Sequence, residues 1–209
     1  MQFKLGQFQR ARLMIGLIAA VVVTGIALAY AAKPKRTFTA VSLIGVQHIG
    51  PDFNIPTFYV DGNANGNVGR GGGGGRSMCC YMLPDKWRPD LSVDVRWEVT
   101  DWSKEIPSEL NAGNYRSLSV EGVYKAKAPI EKYDKPEDVY VVFFPGGRVR
   151  VVSDIFGAGG NNGQILRKDP HAADTATKGV RVADLFSKAE LAEMNKKWDA
   201  EKMKQGDWR

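Results

Sequence analysis

Residues 91–99 read Leu91-Ser92-Val93-Asp94-Val95-Arg96-Trp97-Glu98-Val99, alternating apolar and polar side chains without a break. A strand turns successive side chains to opposite faces. The pattern therefore puts Leu91, Val93, Val95, Trp97 and Val99 on one face and Ser92, Asp94, Arg96 and Glu98 on the other. The first face belongs in a core and the second towards solvent. Trp97 is thus expected inside.

Working outward, Val139–Phe144 and Arg148–Ser153 flank Pro145-Gly146-Gly147 and predict a hairpin. Phe38–Ile49 is rich in β-branched and aromatic residues and predicts a strand, bulged at Gly45. Thr57–Val60 predicts a short strand ending in the turn signal Asp61-Gly62, and Leu118–Tyr124 predicts another. Ser77–Leu83 is an apolar run stopped by Pro84. Turns are short and no βαβ spacing occurs, so the expected fold is mainly β, an antiparallel sheet or small sandwich. Near the C-terminus, Ser187 and Glu190 have capping-box spacing at the start of a helix running to about Lys204. Leu191, Met194 and Trp198 form an apolar stripe on it, expected to dock on the sheet rather than on a partner.

The other end of the chain differs. Residues 13–32 (LMIGLIAAVVVTGIALAYAA) are twenty residues without a charge, long enough to cross a bilayer core as a helix. Tyr30 sits where an interfacial aromatic belongs. The competing reading is a cleaved signal peptide with Ala29-Tyr30-Ala31 as its cleavage site; the length of the apolar run favours an uncleaved anchor. The expected organisation is a cytoplasmic tail (1–12), a transmembrane anchor (13–32), a basic linker (33–37), a β domain (38–180) and a C-terminal helical segment (181–209). Basic residues balance across the anchor, so the short tail decides the orientation, with the domain exported.

The net charge of +6 is concentrated at the N-terminus. Lys4, Arg10 and Arg12 precede every acidic residue, leaving 26 basic against 23 acidic side chains in the rest. No basic cluster interleaved with aromatics points to nucleic acid. Arg70–Ser77 (RGGGGGRS) resembles a phosphate loop only superficially, because Arg70 occupies the place of its first glycine and Arg76 that of its lysine. His48 and His171 are the only histidines, and nothing in the sequence links either to Ser77 or a cysteine as a base. Two lone histidines and adjacent cysteines fit no metal-site spacing. No catalytic residue, cofactor, metal or small-molecule substrate is therefore expected.

Cys79-Cys80 are the only cysteines, so no long-range disulfide can form within the chain. On a regular strand they would face opposite sides, one core and one exposed. Reduced or core-packed thiols and a vicinal disulfide remain alternatives. Gly62–Arg76 holds eight glycines in fifteen residues, and Gly157–Gly163 is a second glycine-rich loop. Loops on a rigid β scaffold are where binding surfaces reside. The candidate contact residues are Arg70, Gly71, Gly73, Gly75 and Arg76 in the first loop and Gly159, Asn161 and Asn162 in the second. Trp87 and Trp102 flank loops and are expected to pack at the sheet edge or to anchor a partner.

Taken in order, Phe58-Tyr59-Val60-Asp61-Gly62, the glycine run, Cys79-Cys80, Leu83-Pro84, Trp87 with Pro89, and Val93-Asp94-Val95-Arg96-Trp97 resemble a bacterial family of unknown function numbered 3304. The resemblance covers roughly residues 38–155. It implies a lipoprotein or single-pass membrane protein of a Gram-negative bacterium, encoded beside a type VI secretion effector, notably a lipase, and acting as its immunity protein. The chain departs from the lipoprotein members in having no cysteine at the end of its apolar segment. The family carries no established catalytic residues. The resemblance thus implies a protein partner, an inner-membrane location and a periplasmic domain; an envelope or secretion-apparatus component and a thiol-dependent enzyme are the alternatives.

Overall fold

The computed structural model describes residues 36–72, 78–103, 108, 111–113, 119–153 and 170–205. The apolar run 13–32 and the candidate residues Gly73, Gly75, Arg76, Gly159, Asn161 and Asn162 lie outside them. Among the described residues no helix is long and apolar enough to cross a membrane.

Among the described residues, eleven strands and an α-helix follow in chain order: β1 (Phe38–Gln47), β2 (Phe53–Asn54), β3 (Phe58–Val60), β4 (Asn63–Asn65), β5 (Met78–Pro84), β6 (Ser92–Asp101), β7 (Ser119–Pro129), β8 (Val139–Phe144), β9 (Arg148–Ser153), β10 (Thr177–Lys178), β11 (Val180–Val182) and α1 (Lys188–Gln205). They form two sheets, one in the order β10-β9-β8-β1-β5 and the other β11-β7-β6-β3-β4, with β2 also on β6. The fold is mainly β with two sheets and a C-terminal helix.

Alternation determines what each sheet buries. Val93, Val95, Trp97 and Val99 of β6 are buried, as their period-two spacing requires. Val41 and Leu43 of β1 and Val141 and Phe143 of β8 face them from the other sheet in one continuous core. Phe143 joins the layers, its ring 5.3 Å from Phe58 and 5.4 Å from Trp97. The sheets therefore pack face to face as a sandwich. Trp87 packs against this core and donates its ring N–H to the Ile130 carbonyl at 2.8 Å.

One side of the sandwich is stitched together by chain that changes sheet. Ile130, just past β7, bridges to Val151 of β9. β10 pairs with β9 and β11 with β7, and the step between them is Gly179. A Cβ there would lie 2.8 Å from the Trp97 ring and 2.9 Å from the Gly147 carbonyl, so the crossing passes where only glycine fits.

Two expectations about strand pairing are corrected. The strands are not all antiparallel: β1 and β8 pair in parallel, Leu43 opposite Val139 through Gln47 opposite Phe143. The chain lays down β2–β7 between them, and that excursion supplies the long connection a parallel pair needs. Gly45 is not a bulge, since its pairing with Val141 is regular. Its missing side chain makes room for Phe58 and Val68, which a Cβ would approach to 2.6 and 2.5 Å. The irregularity in β1 falls opposite β5, between Val41 and Ser42, where Tyr81 and Cys79 are the partners and Cys80 is the extra residue.

The capping box is present: Ser187 N–H donates to Glu190 Oε2 at 2.8 Å, and Glu190 N–H to Ser187 Oγ at 3.2 Å. The stripe of α1, however, is not buried on the sheet. Leu191 is 45% and Trp198 63% exposed. The helix is held by its first turn. Arg96 of β6 donates to Asp94 at 2.7 Å, to the Leu185 carbonyl at 2.9 Å and to Glu190 at 2.8 Å, and lies over the Phe186 ring. Phe186 in turn packs edge-on to Tyr59.

Candidate functional site

β1 runs ten residues from Phe38, next to the linker, to Gln47. At about 3.3 Å per residue its ends are roughly 30 Å apart. The far end carries the loops after β1, β6 and β8 and the start of the glycine run.

Gln47 organises this end. Its position shares the inward parity of Val41, Leu43 and Gly45, so an amide is carried into the core, where it is fully buried. All its polar capacity is used. Nε2 donates to the carbonyls of Gly50, Phe53 and Gly69 at 3.0, 3.1 and 3.3 Å. Oε1 accepts from the N–H groups of Ile49 and Gly50 at 2.8 and 3.1 Å. One side chain thereby pins the loop after β1 to the glycine-rich segment. The cue in the sequence was a polar residue in the inward register of an otherwise apolar strand.

Gly62–Arg76 is consequently not one continuous loop. Gly62 turns a hairpin, and Asn63–Asn65 is strand β4. Val68 is fully buried and bridges Ile55 with bonds of 2.8 and 3.0 Å. Only then does the chain rise to Arg70 and Gly71, both exposed. The Arg70 guanidinium lies 4.7 Å above the Trp102 ring. Trp102, just past the end of β6, donates its ring N–H to Asn54 Oδ1 at 2.7 Å and its backbone N–H to the Asp52 carbonyl at 2.8 Å. Stacking and two hydrogen bonds thus present a half-buried tryptophan with a cation across its face. The same end holds a shallow cleft of about 150 Å³, lined in part by Ile49, Phe53, Glu121, Phe144 and Pro145. His48 packs edge-on to Phe144 at 5.2 Å and belongs to this end, whereas His171 is paired with Asp174 at 2.8 Å in the segment before β10.

Arg70 and Gly71 are the sequence-nominated residues that the structure places at this end. Gln47, Asn54 and the cleft are not among them, whereas Trp102 is the loop-flanking tryptophan expected to pack at the sheet edge or to anchor a partner. Among the described residues no group of three His, Cys, Asp or Glu side chains could hold a metal ion.

Cys79 and Cys80 lie elsewhere on β5, disulfide-bonded to each other and both exposed. Alternation, which would have buried one of them, fails here because the bulge interrupts it. Towards the linker end of the same strand, Tyr81 donates to Asp61 Oδ2 at 2.9 Å. Burial, then the Asp61 carboxylate, holds its phenol well above the ordinary tyrosine value.

Residues 51–151 match the model of a family described as a protein of unknown function (DUF3304). No curated protein and no solved structure matches the chain.

Proposed function

We propose, on the premise that the β domain belongs to the DUF3304 family, that this chain is a membrane-tethered, periplasm-facing immunity protein. It binds a secreted type VI effector, a lipase by the family resemblance, and blocks it without chemistry of its own. The observation that carries this reading is the far end of β1. An exposed Arg70 over Trp102 and a shallow cleft share this end, and Gln47 ties the loop after β1 to the segment that carries Arg70. Tryptophan and arginine beside a well-packed pocket are the residues that dominate binding energy at protein interfaces. The Cys79–Cys80 disulfide supports export, because such bonds persist in oxidising compartments. The far end is the one opposite Phe38, where β1 begins.

The test is co-expression with the product of the adjacent gene directed to the periplasm. Rescue of growth and a stable complex on pull-down are expected. Arg70→Glu should lose both while the protein still accumulates. A neighbour that is not toxic, or is toxic but neither bound nor neutralised, overturns the reading. It would favour the second reading, an envelope assembly component, for which the exposed Leu191 and Trp198 of α1 speak.

A further inference from the structure

β5 is the edge strand of the first sheet and pairs with β1 on one side. The register between them is regular from Phe38 opposite Pro84 to Val41 opposite Tyr81; Ser42 then stands opposite Cys79, and Cys80 is left over. Cys80 is also one half of the bridge to Cys79. The two features have one cause. Adjacent residues of an unbroken strand point their Cβ atoms to opposite faces, whereas a disulfide needs Cβ atoms about 3.8 Å apart. The bridge can exist only where alternation is broken, and the bulge is that break.

The bridge does little else for the fold. A disulfide stabilises by closing a loop in the unfolded chain, and the more so the longer the loop. Cys79 and Cys80 are neighbours in sequence, so almost no loop is closed. Both are exposed, on a strand with an open edge, and the bridge is within reach of an incoming thiolate.

We infer that Cys79–Cys80 is a thiol–disulfide exchange site whose redox state sets the register of β5. Its substrate class is a dithiol reductant. One thiolate of the reductant attacks a bridge sulfur, the Sγ–Sγ bond breaks, and the other cysteine leaves as a thiolate. The second thiol of the reductant then resolves the mixed disulfide. The reductant departs as a disulfide, having given up two electrons, and both cysteine sulfurs end protonated. Without the bridge the regular register continues, with Ser42 opposite Cys80 and Leu43 opposite Cys79. Directly paired residues share a face, and Leu43 is buried. Cys79 therefore turns towards the core, as Tyr81 and Leu83 of the same parity do, and Cys80 stays outside with Ser42. The chain before Cys80 shifts by one residue, about 3.3 Å. Gly71–Gly75 precede it in sequence, the residue type with the widest backbone range for taking up such a step.

The experiment compares the folded full chain before and after dithiothreitol. Iodoacetamide pulses label the thiols, and fragmentation mass spectrometry assigns each label to its cysteine. The bridge should open with the circular dichroism of the fold retained. Cys80 should then be labelled roughly tenfold faster than Cys79, because a thiol turned into the core is shielded. Two variants that cannot form the bridge read the register independently. Cys79→Asp should lower the urea midpoint well below that of the reduced parent, since it turns a carboxylate inward, and Cys80→Asp should stay close to it. Free thiols before dithiothreitol is added, or a bridge that opens only in urea, overturn the exchange site. Equal labelling of the two thiols, or equal midpoints for the two aspartate variants, overturns the change of register.

Discussion

Gln47 and Gly45 are two residues apart on the inward face of β1, and the far end depends on both. Gln47→Leu would remove the side-chain partner of three carbonyls and two N–H groups, of which the Gly50 carbonyl keeps the Phe53 N–H. Unsatisfied buried groups are costly, so a loss of about 3 kcal/mol is expected. Denaturant unfolding would measure it, and faster amide exchange at Gly69–Gly71 would show that the glycine segment has come loose. Gly45→Ala forces a methyl against Phe58 and Val68 in the packed core. Overpacking of this kind costs about 1–3 kcal/mol. Gly69→Ala is the matched control: a Cβ there meets nothing within 4 Å, and its backbone lies outside the left-handed region, so its midpoint should stay near that of the parent. Equal losses in the two alanine variants would contradict the packing account.

At the scale of the element, α1 hangs on the Arg96–Glu190 contact. The Arg96 guanidinium and the Ser187 bonds hold the Glu190 carboxyl at about 2, well below its ordinary 4.5. A depressed carboxylate contributes stability above its unfolded value and loses it as pH falls through the folded one. The hold on α1 should therefore be complete at neutral pH and weaken from about 4.5 downwards, through about 2. Glu190→Gln should reproduce the acid state at pH 7. Proteolysis at Lys196 and Lys197 should rise in step with acidification or with this variant while the sheets stay intact; an unchanged cleavage rate would remove Arg96 as the anchor. How much of each element could be foreseen follows from how local its cause is. The hairpin at Pro145-Gly146-Gly147 and the face of Trp97 depend on turn chemistry and period two, and both stand as read. The parallel partner of β1 lies 96 residues away along the chain, Leu43 to Val139, and alternation says nothing about which strand comes alongside. The bulge at Cys80 broke a parity argument that needs an unbroken ladder. The stripe on α1 was correctly spaced, but spacing alone does not say whether a sheet lies beneath it.

For the whole molecule, the far end was legible only in fragments. Arg70 and Gly71 stood out by composition and Trp102 by its tryptophan neighbours, but Gln47, Asn54 and the cleft come together only when the loops after β1, β6 and β8 share one end. That convergence yields a prediction about binding. Trp102→Ala should weaken the complex with the effector by about 2 kcal/mol, roughly 30-fold in Kd, as loss of a central interface tryptophan does. Titration calorimetry would measure it, with thermal melting to confirm that the domain is intact. An unchanged Kd would move the interface away from this end, and α1 with its exposed Trp198 would then be the surface to examine.

The placement of β1 also has a mechanical consequence. It lies between β8 and β5, and on the proposed reading the tether precedes one end and the contact surface is at the other. A partner dragged away from the membrane would pull along the axis of this strand. Its ladders to β5 and β8 lie across that axis, so load is shared by many hydrogen bonds in shear instead of peeling them one at a time. The strand that would join the proposed anchor to its cargo is thus an interior strand of its sheet, placed to bear tension along its length.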